Sequence, residues 1–248
     1  MSATVEKALQ LIEAMARAGK PVGVSQLGRE LDINKSTVHR LLDTLVRHGY
    51  AQQEKEGVRY ALSVKLWEIG IGVVRGLSLP RVAHPFLEIA VAETGETALL
   101  GVVEGAEVLI VDKVDCQQPL QIFSPLGARL PIGNSAFGRV LLAHQPEPVV
   151  AAAVKNFAPR TPYGIQNADQ LRADLARIRE RGASHSRDEW QVGIAGAAAV
   201  IRDARGDVAG VFCITGPTAR LNEERLVEIE ARCIAAGKAI SQQLGHLG

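Results

Sequence analysis

In the stretch NKSTVHRLLDTL, residues 34–45, apolar side chains fall at Val38, Leu41, Leu42 and Leu45, the three-and-four spacing of one helix face. Lys35, Ser36, His39, Arg40 and Asp43 occupy the other face. The same period predicts a first helix in TVEKALQLIEAMARAG, capped by Thr4, with Val5, Leu9, Ile12 and Ala16 on its buried side and a stop at Gly19. After a KPVG turn, Ser25 is placed to cap a short second helix, SQLGRELD, whose Leu27 and Leu31 share a side. Asp32, Ile33 and Asn34 make a tight turn into the third helix, which ends at His48, Gly49 and Tyr50. The pattern then changes to two short β-favouring runs, YAQQ and VRYALS, joined by EKEG with Gly57 free to take a positive φ.

Residues 64–77, VKLWEIGIGVVRGL, return to helical spacing, with Trp67, Ile71 and Val74 as a packing stripe. Gly70, Gly72 and Gly76 there come within one residue of a dinucleotide fingerprint, but the strand, turn and helix order that cradles a pyrophosphate is missing, so no cofactor is expected. From Pro80 onward, helices are predicted in RVAHPFLEIAVAET, in NADQLRADLARIRERG with Asn167 as cap and Gly182 as stop, and in NEERLVEIEARCIAAGKAISQQL. Between them, ETALLGVV and EVLIVDKV flank Gly105, and AAAVIRD and VAGVFCIT flank Arg205, Gly206 and Asp207, as antiparallel hairpins. An antiparallel sheet with covering helices is the α+β solution.

Composition narrows the picture. A chain of 248 residues, 47% hydrophobic and 22% charged, holds enough apolar material for two domains. The first 62 residues carry nine basic and seven acidic side chains, net +2, against net −1 for the rest, so gross charge neither demands nor excludes nucleic acid. Cys116, Cys213 and Cys233 are far apart and odd in number, which argues against a structural zinc site or a disulfide framework. No apolar run reaches membrane-spanning length, and Glu6 and Lys7 interrupt any signal-peptide core, so a cytoplasmic protein is expected.

Three helices followed by a hairpin form the winged helix-turn-helix plan, in which the second helix of the pair enters the major groove and the wing reaches backbone or minor groove. Ser25, Lys35, Ser36, Thr37, His39 and Arg40, with Arg59 in the wing, are the candidate DNA contacts. A polar outer face is also what any solvated helix shows; the surrounding arrangement favours DNA, although Glu54 and Glu56 at the wing tip weigh against a strong minor-groove contact.

The segments VEKALQLIEAM, LGRELDINKSTVHRLLDTLVRHGYAQ and YALSVKLWEIG resemble the N-terminal domain of IclR-type transcriptional regulators. AVAETGETALLGVVEGAEVLIVDKV, GARLPIGNSAFGRVLLAH and RGASHSRDEWQVGIAGAAAVIRDARGDVAGVFCITGPTARL resemble that family's effector-binding domain in order and spacing, so the likeness covers nearly the whole chain. It implies a winged helix-turn-helix over residues 1–63, a linker helix over 64–77 that helps pair two subunits, and a GAF-like effector domain over 78–248. It also implies an effector pocket at Ser135, Ala136 and Phe137, at Ser186, Asp188 and Glu189, at Gly196, and at Cys213 and Thr215.

Other chemistry is less well supported. Ser135, His144, His185 and Asp188 are parts for a hydrolytic triad, but no G-x-S-x-G elbow exposes Ser135. His185 and Asp188 stand three apart, yet no second cluster completes a metal site. Binding without turnover is the better reading. Asn134 or Ser135 can cap a helix starting near Ala136, whose Ala136 and Phe137 amides would then seat a carboxylate. The expectation is therefore a ligand-responsive regulator, a repressor, working as a homodimer or tetramer on double-stranded operator DNA and sensing a small organic acid. Phe137 and Trp190, laid face-on beside the ligand, tilt the choice toward an aromatic or unsaturated carboxylate; the other role open to Phe137 is to fill the pocket and shrink it. The alternative is a small-molecule enzyme or acyl-binding domain carrying a vestigial winged helix.

Overall fold

A computed structural model describes residues 3–54, 59–76 and 78–246, with 71–76 and residue 78 described by their backbone alone. The chain divides into two compact units, Met1–Gly76 and Leu77–Gly248.

In the first unit, α1 (Ala3–Ala18) buries Leu11, Ala14 and Met15. The predicted face is rotated from this one: Val5 is 57% and Leu9 56% exposed. Helix α2 (Val24–Glu30) starts from Gly23 without a side-chain cap, so Ser25 lies inside its first turn and exposed. The KPVG segment is more than a turn, since β1 (Val22–Gly23) pairs with β3 (Arg59–Leu62), which in turn pairs with β2 (Ala51–Gln53). Helix α3 (Lys35–Arg47) buries Val38, Leu41, Leu42 and Leu45 as its spacing predicts, and Asn34 caps it by accepting from the Thr37 amide. These side chains pack with Leu11, Leu27, Tyr60 and their neighbours into one small core. Helix α4 (Lys65–Gly76) exposes Trp67, while the Ile71 and Val74 side chains and Gly57 of the wing lie outside the described residues.

The second unit is built on a six-stranded antiparallel sheet in the order β6-β5-β4-β9-β8-β7: β4 (Thr97–Glu104), β5 (Glu107–Val114), β6 (Arg129–Pro131), β7 (Ala183–Arg187), β8 (Ile194–Arg202) and β9 (Val208–Pro217). Both predicted hairpins form, with Gly105 and Gly206 in the left-handed region at their turns. Strand alternation sorts the side chains to two faces. Ala98, Leu100, Ala197, Ala199, Phe212 and Ile214 pack with α5 (Ser78–Thr94) and α9 (Glu223–Gln243). Leu99, Ala198, Val211 and Cys213, one position out of phase, pack with α6 (Ala136–Leu142), α7 (Glu147–Lys155) and α8 (Ala168–Arg181). Helix α8 is capped by Asn167 and ends on Gly182 at φ 71°, and α9 is capped by Asn222. Helix α5 begins at Ser78, ahead of the expected start, and runs through Pro85. Among the described residues, no helix is long and apolar enough to cross a membrane.

Candidate functional site

Two surfaces gather the candidate residues. In the first unit, the turn between α2 and α3 is tight enough to exclude side-chain atoms. The Ile33 amide donates to the Gly28 carbonyl at 2.9 Å, and a Cβ on Gly28 would lie 2.8 Å from the Ile33 carbonyl oxygen. Asp32 adopts φ 51° to complete the reversal. This fixes α3 with Lys35, Ser36, His39 and Arg40 exposed and Thr37 half-buried. Ser36 Oγ donates to Asn34 Oδ1 at 3.0 Å, and His39 Nδ1 lies 3.0 Å from Asp43 Oδ2. Arg59, on β3, is also exposed.

In the second unit, the odd-phase face of the sheet and the start of α6 enclose a cavity of about 150 Å³. Ser135, Ala136, Phe137, Ser186, Trp190, Gly196, Cys213 and Thr215 all line it, and every lining side chain is uncharged. Gly196 pairs with Thr215 across β8 and β9, and a Cβ there would sit 2.8 Å from the Ile214 carbonyl, so the glycine keeps the floor open. Thr215 Oγ1 donates to the Ala195 carbonyl at 2.9 Å, leaving its lone pairs available. Burial pushes the Cys213 thiol up to about 12, so it stays protonated.

The amide of Ala136, which the sequence offers to a ligand, is already engaged: it donates to Ser186 Oγ at 3.1 Å, joining α6 to β7. Ser135 caps the helix by accepting from the Gly138 amide at 3.2 Å. The Ser186 hydroxyl, accepting from Ala136, keeps its own proton to donate.

Asp188 and Glu189 stand apart from that lining. Asp188, at φ 61°, accepts from the Gly193 amide at 2.6 Å and shapes the loop between β7 and β8. Glu189 turns toward Arg139, whose Nη1 donates to it at 2.6 Å, and lines a larger cavity of about 820 Å³. Burial raises the Glu189 pKa, against the lowering pull of Arg139. Several of the charged groups lining that larger cavity are paired with one another: Arg139 also with Asp174 at 2.7 Å, Arg177 with Asp174 at 3.0 Å, and Arg181 and His185 with buried Glu230. Arg139 and Glu230, both buried, are absent from the sequence-based candidates. An arginine in the otherwise apolar helix AFGRVLL was the available signal for the first.

The parts of a hydrolytic triad hold separate positions. Ser135 is a cap, Asp188 shapes a turn, and His185 faces Glu230. His144 Nδ1 lies 3.5 Å from Arg202, and burial, with Arg202 and Arg179 nearby, lowers its pKa to about 4. Among the described residues there is no group of three or more His, Cys, Asp or Glu placed to hold a metal.

The family model for the bacterial transcriptional regulator IclR C-terminal domain matches residues 71–242, and that for the IclR helix-turn-helix domain matches residues 4–55. The chain is 28% identical to the transcriptional repressor IclR of Escherichia coli K12, covering 98% of this chain and 90% of that one. It is 30% identical to the HTH-type transcriptional regulator KdgR of Escherichia coli K12, with 98% and 93% covered. A crystal structure of an IclR homologue from Microbacterium hydrocarbonoxydans complexed with 4-hydroxybenzoate is similar at 25% identity and a TM-score of 0.84, with 98% of this chain and 99% of that one covered.

Proposed function

Because the chain belongs to the IclR family of bacterial transcriptional regulators, we propose that it is a repressor that releases operator DNA when a small, flat organic acid fills the cavity beside Phe137. Membership makes it a DNA-binding regulator with an effector domain rather than an enzyme.

The observation that carries the effector reading is the cavity itself. At about 150 Å³ it matches the scale at which an apolar cavity accepts one benzene-sized ring, roughly 150 Å³. Leu99, Ile110 and Phe137 supply apolar wall, and Ser186, Trp190 and Gln191 supply O–H and N–H donors suited to a carboxylate. The helix-start contribution is smaller than the sequence suggests, because Ser186 already takes the Ala136 amide. The Microbacterium homologue's 4-hydroxybenzoate is a compound of this size and chemistry.

On the DNA side, Lys35, Ser36, His39 and Arg40 would meet phosphates and base edges, Arg59 a phosphate, and Ser25 and Thr37 the backbone near the helix starts. A homo-oligomer would present two such faces to a two-fold operator, and the exposed Val5, Leu9 and Trp67 are apolar surface available for pairing.

Calorimetry with 4-hydroxybenzoate, benzoate and benzamide tests the effector reading in wild type and Phe137→Ala. Tighter binding of the acids, altered by Phe137→Ala, is expected. Amide binding equal to that of the acids would overturn the carboxylate assignment.

A further inference from the structure

Arg139 is among the largest fully buried side chains in the protein, although it sits one turn from the effector cavity on α6. Its guanidinium reaches three segments: Nε to Asp174 of α8 at 2.7 Å, Nη1 to Glu189 in the loop after β7 at 2.6 Å, and Nη2 to the His185 carbonyl of β7 at 3.4 Å. Two of these segments also wall the cavity, through Ser186 on β7 and through Trp190 and Gln191 in the loop. Trp190 directly follows Glu189, so the residue that grips Arg139 is the neighbour of a ring that lines the cavity.

The loop is held from its other side as well. Thr161 Oγ1 donates to the Asp188 carbonyl at 2.6 Å, Arg160 lies 4.0 Å over the Trp190 ring, and a Cβ on Gly164 would fall 2.3 Å from Glu189 Cγ. With those contacts in place, the Glu189 carboxylate is the loop's ionic link to the helix that opens the cavity.

We infer that Arg139 and Glu189 are positioning residues for effector binding: the buried guanidinium, gripping Glu189 and the His185 carbonyl, holds the loop so that Trp190 closes the cavity without either charged group touching the effector. A bidentate or branched grip by arginine suits this role because its fork is planar and loses little freedom on binding. The effect on affinity comes from preorganisation, since a loop already in its bound conformation need not be ordered when ligand enters. The assignment rests on the effector reading above, and its test separates the two.

Trp67 and Trp190 are the two tryptophans of the chain, so a Trp67→Phe background makes Trp190 the sole indole fluorophore. In that background, full-length Glu189→Gln, Glu189→Asp and Arg139→Lys are compared with Asp174→Asn, which removes an arm of the guanidinium that does not reach the loop. Acrylamide quenching of ligand-free protein reports the loop, and titration with 4-hydroxybenzoate reports binding. Glu189→Gln should raise the quenching constant about two-fold as the loop opens locally. It should also weaken 4-hydroxybenzoate by about ten-fold through lost preorganisation. Glu189→Asp, which keeps the charge, should recover part of both, and Asp174→Asn should change neither. The Glu189 variants retain the guanidinium, so they decide the matter even where Arg139→Lys fails to fold. Unchanged quenching in both Glu189 variants overturns the inference, as does an equal change in Asp174→Asn, which would make the cluster merely structural. If quenching responds as expected but wild type binds no aromatic acid, the positioning of the loop stands and the aromatic-acid reading falls.

Discussion

Gly101→Ala tests the wall of the cavity more sharply than any change inside it. Strand β4 shifts register at Leu100 and Gly101, and the Phe137 ring lies against the bare Cα there. A Cβ on Gly101 would sit 2.5 Å from Phe137 Cζ and 2.6 Å from Val108 Cγ1. Carbon atoms prefer roughly 3.5–4.0 Å, so the ring must retreat by about 1 Å or more, away from the sheet. Such overpacking costs about 1–3 kcal/mol. At roughly 2–4 °C per kcal/mol for a domain of this size, the thermal midpoint should fall by about 2–12 °C. Phe137→Leu shortens the group that collides, so the double variant should be more stable than the two single changes predict, with a coupling of about 0.5–3 kcal/mol. Thermal unfolding of the four proteins gives the stability cycle, and calorimetry with 4-hydroxybenzoate gives the matching cycle for binding, in which Gly101→Ala alone should bind more weakly. Strict additivity in both cycles would refute the placement of the ring on Gly101.

Other outcomes follow from the same geometry. His39→Ala or Arg40→Ala should weaken operator binding by about 1–3 kcal/mol if the side chain reads a base, with the thermal midpoint unchanged; gel shift at fixed salt checks this. Arg59→Ala should lower the salt slope of binding rather than relax its sequence preference, as a phosphate contact would, which a salt titration measures. Ser186→Ala strips the acceptor from the buried Ala136 amide and should cost about 1–3 kcal/mol of stability as well as effector affinity. His185 is raised, chiefly by its hydrogen bond to Glu230, so its stabilisation is complete below its ordinary value near 6.5 and lost as pH rises through the folded value. Glu230 is lowered, chiefly by His185, so its share is present above its ordinary value near 4.5 and lost as pH falls through the folded one. The pair therefore stabilises most in mildly acidic solution, and the difference between wild type and His185→Gln across a pH series of unfolding curves should peak there. His144, held neutral down to about 4, works in the opposite direction below 6.5 and cancels from that difference.

Much of this was legible from spacing and caps. Helix α3 reads correctly because its apolar residues fill one face and its polar residues the other, and Asn167 and Asn222 cap helices with their side chains while Gly182 ends one in the left-handed backbone region. Helix α1 misleads because apolar residues lie at helical spacing on two of its faces: Leu11, Ala14 and Met15 turn inward while Val5 and Leu9 face out, a choice that tertiary packing makes and periodicity cannot. Strand β1 has two residues, too few for any alternation. Strand β7, ASHSR, is polar enough to pass for a loop, yet its serines are buried by α6 and its edge position asks for no apolar run. Helix α7 begins behind Pro146 with Pro148 in its first turn, where proline reads equally well as a loop. Eight of the ten effector candidates meet at one cavity because strand alternation and the α6 cap bring them there. Glu189 does not, because its partner Arg139 lies 50 positions away and no local pattern joins them.

The central claim is that the first unit holds DNA through α3 and the second lets go of it when an organic acid binds. Fluorescence anisotropy of a labelled fragment from the region flanking the protein's own gene, with competitor DNA and increasing 4-hydroxybenzoate, tests both halves in one titration. The account predicts salt-sensitive, sequence-specific binding that His39→Ala or Arg40→Ala weakens, and release by the acid that benzamide does not reproduce. Binding that competitor DNA abolishes, or that neither substitution in α3 disturbs, would contradict it.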